Sequence, residues 1–292
     1  MGAYLRPTAL PEALSALAAE GAGGADRRPW VVVAGVTDHY PARVGRVVDE
    51  DVLDVTAIGG LRGIAAADGG GWRIGALTTW SDLAAATELP PLFDGLRAAA
   101  RTIGGLQIQN RATLAGNLCN ASPAADGTPN LLALDAAVEL ASAASVRRVP
   151  VGEFVVGNRR TVRAPDELVT AIFVPDPMEG TAARSAFVKL GSRAYLVISI
   201  AMVAAVVEVG PDGRIARARI AVGACSEVAR RLPELEQDLA GGSLGEAPAI
   251  VRPEHLAGLS PIDDVRGTAA YRRDAALVLV RRALEALRAG AR

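Results

Sequence analysis

The sequence predicts an α+β protein of two domains, and three patterns in the chain lead to this fold class. Short apolar strand segments alternate with helical segments as far as residue 174. A break with two prolines, two acidic residues and a glycine follows at residues 175–180. Beyond the break come longer strand segments and an amphipathic last helix, which is typical of a small antiparallel sheet with helices on one side.

The first part of the chain begins with a predicted helix at residues 11–20, where Leu14 and Leu17 recur near helical spacing and Gly21 can end the helix. Thr78 or Thr79 can cap a second helix. The remaining elements are predicted as a glycine-rich turn at 21–28, strands at 30–34, 53–56 and 72–77, and helices running to residue 86 and from 91 to about 102.

Residues 104–130 form a long segment that is rich in glycine, asparagine and small residues, and we predict an irregular, functional loop there. Helix and strand signals alternate from residue 131 to residue 174. After the break we predict strands at 184–190, 197–209 and 214–225, with a hairpin turn at 210–213. Helices are predicted at 229–239 and 268–289.

Charge and composition exclude several classes of protein. The chain carries 31 basic and 32 acidic residues, a balance that argues against nucleic-acid binding. No run approaches about 18 apolar residues, so no membrane span is predicted. The start of the chain lacks the pattern of a signal peptide, and we expect a cytoplasmic location. Two cysteines and two histidines are too few for a cluster or a dedicated metal site, so no metal ligand is assigned.

A first candidate binding segment follows the predicted strand at residues 30–34. Small residues at Ala34 and Gly35 let backbone N–H groups approach a ligand oxygen, and such turns bind anions without a charged side chain. A plain strand-to-helix turn is the alternative. A Rossmann loop needs G-x-G-x-x-G, and Thr37 stands where its second glycine belongs.

A second candidate segment lies at residues 111–126, where small residues alternate with asparagine, threonine and serine. Neutral donors of this kind suit a pyrophosphate, and Asp126 can accept hydrogen bonds from sugar hydroxyls. A polar loop that satisfies its own hydrogen bonds is the alternative. We predict that the two segments converge, so that their main-chain amides together hold one diphosphate.

Lys189 is the only lysine among the 31 basic residues of the chain. A compact ammonium differs chemically from a planar guanidinium, so a lysine kept among so many arginines indicates a specific role. The alternative is that one lysine has survived by chance.

Several segments occur in the order and with the spacing of one protein family. They are A-G-V-T-D at residues 34–38, L-R-G-I at 61–64, I-G-A at 74–76, Q-I-Q-N-R-A-T-L-A-G-N at 107–117, C-N-A-S-P-A-A-D at 119–126 and D-V-R-G-T-A-A-Y-R at 264–272. Through these segments the chain resembles the medium, FAD-binding subunits of the molybdenum hydroxylases, the xanthine dehydrogenase and carbon monoxide dehydrogenase group.

The resemblance implies a fold and a domain division. Residues 1–176 would form the two-subdomain FAD-binding fold of the vanillyl-alcohol oxidase-like type, with subdomains at about 1–56 and 57–176. Residues 181–292 would form the small C-terminal α+β domain of these flavoproteins.

The resemblance also implies a role within a complex. A large partner subunit would hold a molybdopterin cofactor, and a small partner subunit would hold [2Fe-2S] clusters. These clusters would pass electrons to FAD on this chain, and FAD would reduce NAD, a quinone or dioxygen. Family members usually assemble as a dimer of heterotrimers. Two alternatives stay open: a self-contained flavin oxidoreductase with its own substrate site, and an adaptor subunit that has lost the cofactor.

The resemblance places the FAD-binding residues on named positions, while no catalytic residue is assigned. The first segment contributes Val33, Ala34, Gly35, Val36, Thr37 and Asp38. The second contributes Thr113, Ala115, Gly116 and Asn117, with Asn120 and Asp126 towards the ribitol or ribose, and Lys189 would face the flavin. Val36 and Ala115 stand where the family commonly has glycine. The residues after Arg193 lack the acidic side chains that many NAD-using members carry, which argues against NAD as the acceptor.

Overall fold

The computed structural model describes residues 2–22, 28–47 and 49–289 of the chain. In chain order its strands are β1 (Tyr4–Leu5), β2 (Trp30–Val33), β3 (Asp51–Asp54), β4 (Ile64–Ala66), β5 (Trp72–Gly75), β6 (Ala137–Ala141), β7 (Val146–Pro150), β8 (Val155–Gly157), β9 (Arg160–Thr161), β10 (Leu168–Val174), β11 (Ala182–Leu190), β12 (Ala201–Val209), β13 (Ile215–Gly223) and β14 (Arg230–Arg231). Its α-helices are α1 (Leu10–Ala22), α2 (Trp80–Ala85), α3 (Asp94–Thr102), α4 (Leu106–Gln109), α5 (Leu114–Asn120), α6 (Gly127–Ala133), α7 (Val151–Phe154), α8 (Pro233–Leu239), α9 (Ala247–Ile250) and α10 (Ala269–Ala289).

The first sheet is parallel, with strand order β1-β3-β2. Helix α1 covers it, and Leu14, Leu17 and Leu53 share a buried cluster because α1 presents its apolar side to the sheet. Strand β3 ends at Asp54, earlier than the predicted strand at 53–56, since the Asp54 carboxylate accepts a hydrogen bond from the N–H of Thr56 and starts a 3₁₀ turn. The predicted glycine-rich turn at 21–28 lies largely outside the described residues.

The second sheet is antiparallel and has the strand order β4-β5-β10-β6-β7. Strand β10 lies at its centre, although its two neighbours come much earlier in the chain. Ile74 and Ile172 on this sheet pack against Phe93 and Leu96, beside helix α3. Helix α2 begins at a capping box in which the Thr79 hydroxyl accepts from the N–H of Asp82, which confirms one of the two predicted caps.

The prediction of an irregular loop at residues 104–130 is wrong, because the segment contains α4, α5 and the start of α6. Gly104, with a φ of +53°, ends the preceding helix α3, as a glycine at this position commonly does. Helix α5 begins at a Thr113 cap and ends at Ala121, whose φ of +46° is left-handed. These helices are at most seven residues long, too short for the apolar periodicity on which a sequence-based prediction rests.

The third sheet is antiparallel, with strand order β11-β12-β13-β14. Its central strand β12 is buried on both faces, which explains its almost continuous apolar sequence. Met202 and Val206 face the core of the first part of the chain, whereas Val203 and Val207 face a core built with α8 and α10. This alternation follows from the two-residue period of a strand.

Two elements in the C-terminal part begin four residues later than predicted, and the other boundaries there agree within two residues. Strand β12 begins at Ala201 rather than at residue 197, and residues 191–200 leave the sheet as a loop in which Tyr195 is 74% exposed. The predicted helix at 229–239 begins at Pro233, because residues 230 and 231 instead pair with β13 as strand β14. The last helix is confirmed within one residue of its predicted start.

Ion pairs join the C-terminal sheet to the turn between α6 and β6. At that turn, Asp135 accepts hydrogen bonds from Arg217 and from Arg231, the latter at 2.8 Å. Arg219 is buried and pairs with Glu208 at 2.5 Å. A buried charge is retained only where it is paired and hydrogen-bonded, so this cluster fixes how the two parts of the chain dock.

Candidate functional site

The first predicted binding segment follows β2. Val33 is buried and pairs with Asp54 in the parallel ladder, after which the chain leaves the sheet. Val36 has a φ of +53°, a left-handed conformation that a β-branched residue rarely adopts. Among the described residues, no acceptor is found for the backbone N–H groups of Val36, Thr37 and Asp38. These three donors are therefore available to a ligand.

The second segment is held at its start by the turn before α2. The N–H of Trp80 donates to the carbonyl of Ala112 at 3.1 Å, and the N–H of Leu114 donates to the carbonyl of Thr78 at 3.1 Å. The Thr113 hydroxyl accepts from the N–H of Gly116 at 2.9 Å. Two short strand-like contacts and one cap thus position the first turn of α5.

The end of the same segment is positioned by side-chain contacts to the following helix. The Asn117 side-chain oxygen accepts from the N–H of Gly127 at 3.2 Å. The Asn130 side chain donates to the carbonyl of Asp126 at 2.9 Å. Asn117, predicted to contact the cofactor, therefore also has a structural contact at the start of α6.

The two segments meet at Gly35. A Cβ placed on Gly35 would lie 2.0 Å from the carbonyl oxygen of Arg111 and 2.9 Å from the Cα of Ala112. Real Cβ atoms do not approach backbone atoms so closely, so the contact requires glycine. The predicted convergence of the two segments is confirmed. The sequence showed that Gly35 is a small residue in the first segment, but it did not show that Gly35 contacts Arg111 and Ala112.

Asp38 and Asn120 are joined by an arginine that sequence reasoning missed. Arg159 Nη1 donates to Asp38 Oδ2 at 2.7 Å, and it also donates to Asn120 Oδ1. The N–H of Arg159 donates to the carbonyl of Ala121 at 3.0 Å. In a sequence with so many arginines, nothing distinguished this one.

Asp126 and Lys189 contact each other. Lys189 Nζ lies 2.6 Å from Asp126 Oδ2, and the side chains are only 11% and 6% exposed. The Ser199 hydroxyl donates to Asp126 Oδ1 at 2.6 Å, a contact that sequence reasoning also missed. Each carboxylate oxygen of Asp126 can accept one more hydrogen bond, for example from a ribitol hydroxyl. The role of Asp126 towards ribitol and that of Lys189 towards flavin stay predictions.

A buried arginine supports the neighbourhood of this ion pair. Arg272 is 2% exposed, and its Nη1 donates to the carbonyls of Ile200 at 2.6 Å and Ala224 at 3.1 Å. The N–H of Ala224 donates in turn to the carbonyl of Pro123 in the second segment, at 2.9 Å. Arg272 thus connects the start of the last helix to the loop that carries Ser199.

His39 follows the first segment directly, and the pKa of its imidazole lies below the ordinary value. Burial lowers the pKa of its imidazole, and the nearby Arg43 guanidinium lowers it further. The ring is therefore protonated less readily than a free imidazole. Among the described residues, no group of three or more histidine, cysteine, aspartate or glutamate side chains could hold a metal ion.

Two known domain families together match nearly the whole chain. A family described as the FAD binding domain in molybdopterin dehydrogenase matches residues 1–177. The CO dehydrogenase flavoprotein C-terminal domain matches residues 186–287. The chain belongs to the FAD-binding subunits of the molybdenum hydroxylase family. Such subunits are parts of oxidoreductases, and the cofactor of this one is FAD.

Individual relatives agree with this assignment. The FAD-binding subunit is 32% identical over 241 residues to a putative xanthine dehydrogenase FAD-binding subunit of Escherichia coli, covering 80% of this chain and 77% of the relative. It is 31% identical over 292 residues to the carbon monoxide dehydrogenase medium chain of Afipia carboxidovorans, covering 99% and 97%. The structure of reconstituted CO dehydrogenase from Oligotropha carboxidovorans superposes with a TM-score of 0.82 at 28% identity, covering 98% and 96%.

The geometry of this FAD-binding subunit fits a cofactor that contains a diphosphate. The unpaired N–H groups of Val36, Thr37 and Asp38 face no competing acceptor within the described ranges, and Gly35 brings the second segment into contact. Neutral main-chain donors of this kind suit phosphate oxygens. No helix in the described part of the chain is long and apolar enough to cross a membrane.

Proposed function

We propose that this subunit transfers electrons within a molybdenum hydroxylase complex. In this proposal a large subunit oxidises the substrate at a molybdenum cofactor, and a small subunit relays the electrons through [2Fe-2S] clusters. FAD on this chain would pass them to an external acceptor, and the complex would be a dimer of heterotrimers. The relatives named as medium chains of carbon monoxide dehydrogenase and of nicotine 6-hydroxylase support partners of this kind.

The observation that carries the proposal is the contact between Gly35 and residues Arg111 and Ala112. It brings together two segments, each with the small residues that permit close approach to a diphosphate. The N–H groups of Val36 and Thr37 would bind phosphate oxygens from one side. From the other side the N–H of Ala115 would bind them, because the neighbouring N–H groups of Leu114 and Gly116 already donate to Thr78 and Thr113.

The remaining predicted contacts belong to the same proposal. Thr113 caps α5, and Ala115 and Gly116 lie in its first turn, beside the contact with Gly35. Asn120 and Asp126 would lie beside the sugar hydroxyls, while the Lys189 ammonium next to Asp126 would face the flavin ring. The FAD-binding domain would span residues 1–176 and the C-terminal domain residues 181–292.

Bound FAD supplies the ability to take up electrons and release them to a second partner. The protein supplies binding and electrostatics. A cation near the flavin stabilises the reduced, anionic form, and the 11% exposed Lys189 side chain is shielded from solvent, which strengthens its field. The Asp126 carboxylate partly offsets this charge and holds the ammonium in place.

The proposal is tested by substituting Gly35→Ala, with Gly59→Ala as the matched control. The Gly59 position has open space for a Cβ, whereas the Gly35 position has a carbonyl oxygen 2.0 Å away. We expect the wild-type chain and the Gly59 variant to bind one FAD per chain. Separation of the two segments in the Gly35 variant should weaken binding by at least about 100-fold, since the loss of two hydrogen bonds to a charged group costs at least about 3 kcal/mol.

Flavin fluorescence titration and absorbance of the purified chains measure the binding. A Gly35→Ala variant with wild-type affinity would contradict the proposed site. A wild-type chain that never takes up FAD would favour the adaptor alternative. Turnover of a small substrate by this chain without partners would favour the self-contained oxidoreductase.

A further inference from the structure

Arg159 lies at the tip of the hairpin formed by β8 and β9, and its backbone is unusual. Its φ is +59°, and its N–H donates to the carbonyl of Ala121, which is itself left-handed with a φ of +46°. Left-handed backbone costs a residue with a side chain about 1–2 kcal/mol. Two such residues that are hydrogen-bonded to each other indicate that the surrounding structure holds the hairpin tip against the end of α5.

The side chain of Arg159 contacts both cofactor-binding segments. Its Nη1 atom donates to Asp38, 121 residues away in the chain, and to Asn120, 39 residues away. One guanidinium group therefore bridges the end of the first segment and the end of α5. Gly35 joins the same two segments at another point, so Arg159 supplies a second, independent connection between them.

Charge gives this bridge a further consequence. A diphosphate carries negative charge, and the Asp38 carboxylate would repel it unless a cation lies beside the carboxylate. The Arg43 guanidinium is bound by Glu50, and the Lys189 ammonium lies against Asp126. The guanidinium of Arg159, 2.7 Å from Asp38, supplies the compensating charge.

We propose that Arg159 is a positioning residue of the FAD site. It holds the two segments at the separation that the diphosphate requires, and it neutralises Asp38 before the cofactor arrives. The inference rests on the proposed function, because it assigns a role at that site. Nothing in the sequence motifs on which the family resemblance rests includes residue 159.

The test compares Arg159→Ala with Arg160→Ala, the neighbouring arginine on the same hairpin. The Arg160 side chain is 68% exposed and pairs with Glu227 at 3.6 Å, and it makes no hydrogen bond or ion pair with either segment within the described ranges. We expect Arg159→Ala to weaken FAD binding about 10-fold, since loss of the bridge lowers the fraction of chains with the segments correctly placed. Arg160→Ala should change the affinity less than about 2-fold, as exposed pairs of this kind contribute little.

Two further measurements separate positioning from a general structural role. The melting temperature of the FAD-free Arg159→Ala protein should stay within about 3 °C of wild type, because the pair with Asp38 is half-exposed on both sides. Arg159→Lys, which keeps the charge but lacks the rigid, planar guanidinium, should recover part of the lost affinity.

Coupling with Asp38 completes the test. If Arg159 acts through Asp38, the double variant Arg159→Ala, Asp38→Asn should bind FAD no more weakly than Arg159→Ala alone, because the uncompensated carboxylate is gone. Equal affinities for the two alanine variants would overturn the inference, and so would losses that multiply in the double variant. If the wild-type chain still binds FAD, either of these results would overturn only the role of Arg159 and not the proposed function. The failure of the inference can therefore be told from the failure of the proposed function.

Discussion

Replacement of Lys189 by methionine should destabilise the FAD-free protein strongly, although lysine is a residue type that usually lies at the surface. The ammonium lies 2.6 Å from Asp126, and the two side chains are 11% and 6% exposed. Methionine has a similar length and no charge. The substitution therefore leaves the Asp126 carboxylate buried, with Ser199 as its remaining hydrogen-bond donor among the residues that the structure describes.

The size of the effect follows from this burial. Two unit charges about 3 Å apart attract by about 5 kcal/mol at an effective dielectric constant of about 20, and much of this offsets the cost of removing both charges from water. Removal of one partner of a buried pair typically costs about 3–5 kcal/mol. Because Ser199 still donates to Asp126, we expect Lys189→Met to cost about 3 kcal/mol of unfolding free energy.

A double variant provides the matched control. Lys189→Met combined with Asp126→Asn removes both charges and keeps the hydrogen bond to Ser199, so its loss of stability should be smaller than the sum of the two single losses by at least about 1.5 kcal/mol. Such non-additivity distinguishes a buried ion pair from two independent contributions.

Urea unfolding of the FAD-free proteins is the assay. The three tryptophans, Trp30, Trp72 and Trp80, all lie in the first part of the chain, so their fluorescence reports on that part, while circular dichroism reports on both. Coincident transitions would justify a single unfolding free energy. A loss below about 1 kcal/mol in Lys189→Met, or additive losses in the double variant, would refute the reasoning.

Two further substitutions test local features. Val36→Gly relieves a φ of +53° and should stabilise the FAD-free protein by about 1 kcal/mol, seen as a higher melting temperature; a clear loss would show that the valine side chain contributes more than the strain costs. Burial raises the pKa of Asp264, but the N–H of Arg266 and the guanidinium of Arg272 outweigh this and lower the pKa from 3.8 to about 2. The stabilisation is complete above about pH 5 and is lost as the pH falls towards 2, so Asp264→Asn should cost about 1–2 kcal/mol at pH 7 and almost nothing at pH 2. An equal cost at both pH values would contradict the assignment.

Local chemistry made several parts of this protein predictable. Thr79, one of the two predicted caps, starts α2 through a capping box, because this effect depends on residues within one turn of each other. The long apolar strand β12 and the amphipathic helix α10 were predicted because their periodic patterns are long. The short helices α4, α5 and α6 were missed because none of them is long enough to show such a pattern.

The sequence by itself determined that two segments of small residues exist, and it determined the chemistry that those segments offer. Only the tertiary structure decided that Gly35 packs on Arg111, that Arg159 bridges Asp38 and Asn120, and that Ser199 donates to Asp126. The physical reason is how far apart in the chain the contacting residues lie. A cap or a turn depends on neighbouring residues, whereas these contacts join residues that are 39 to 121 positions apart and depend on how three sheets pack together.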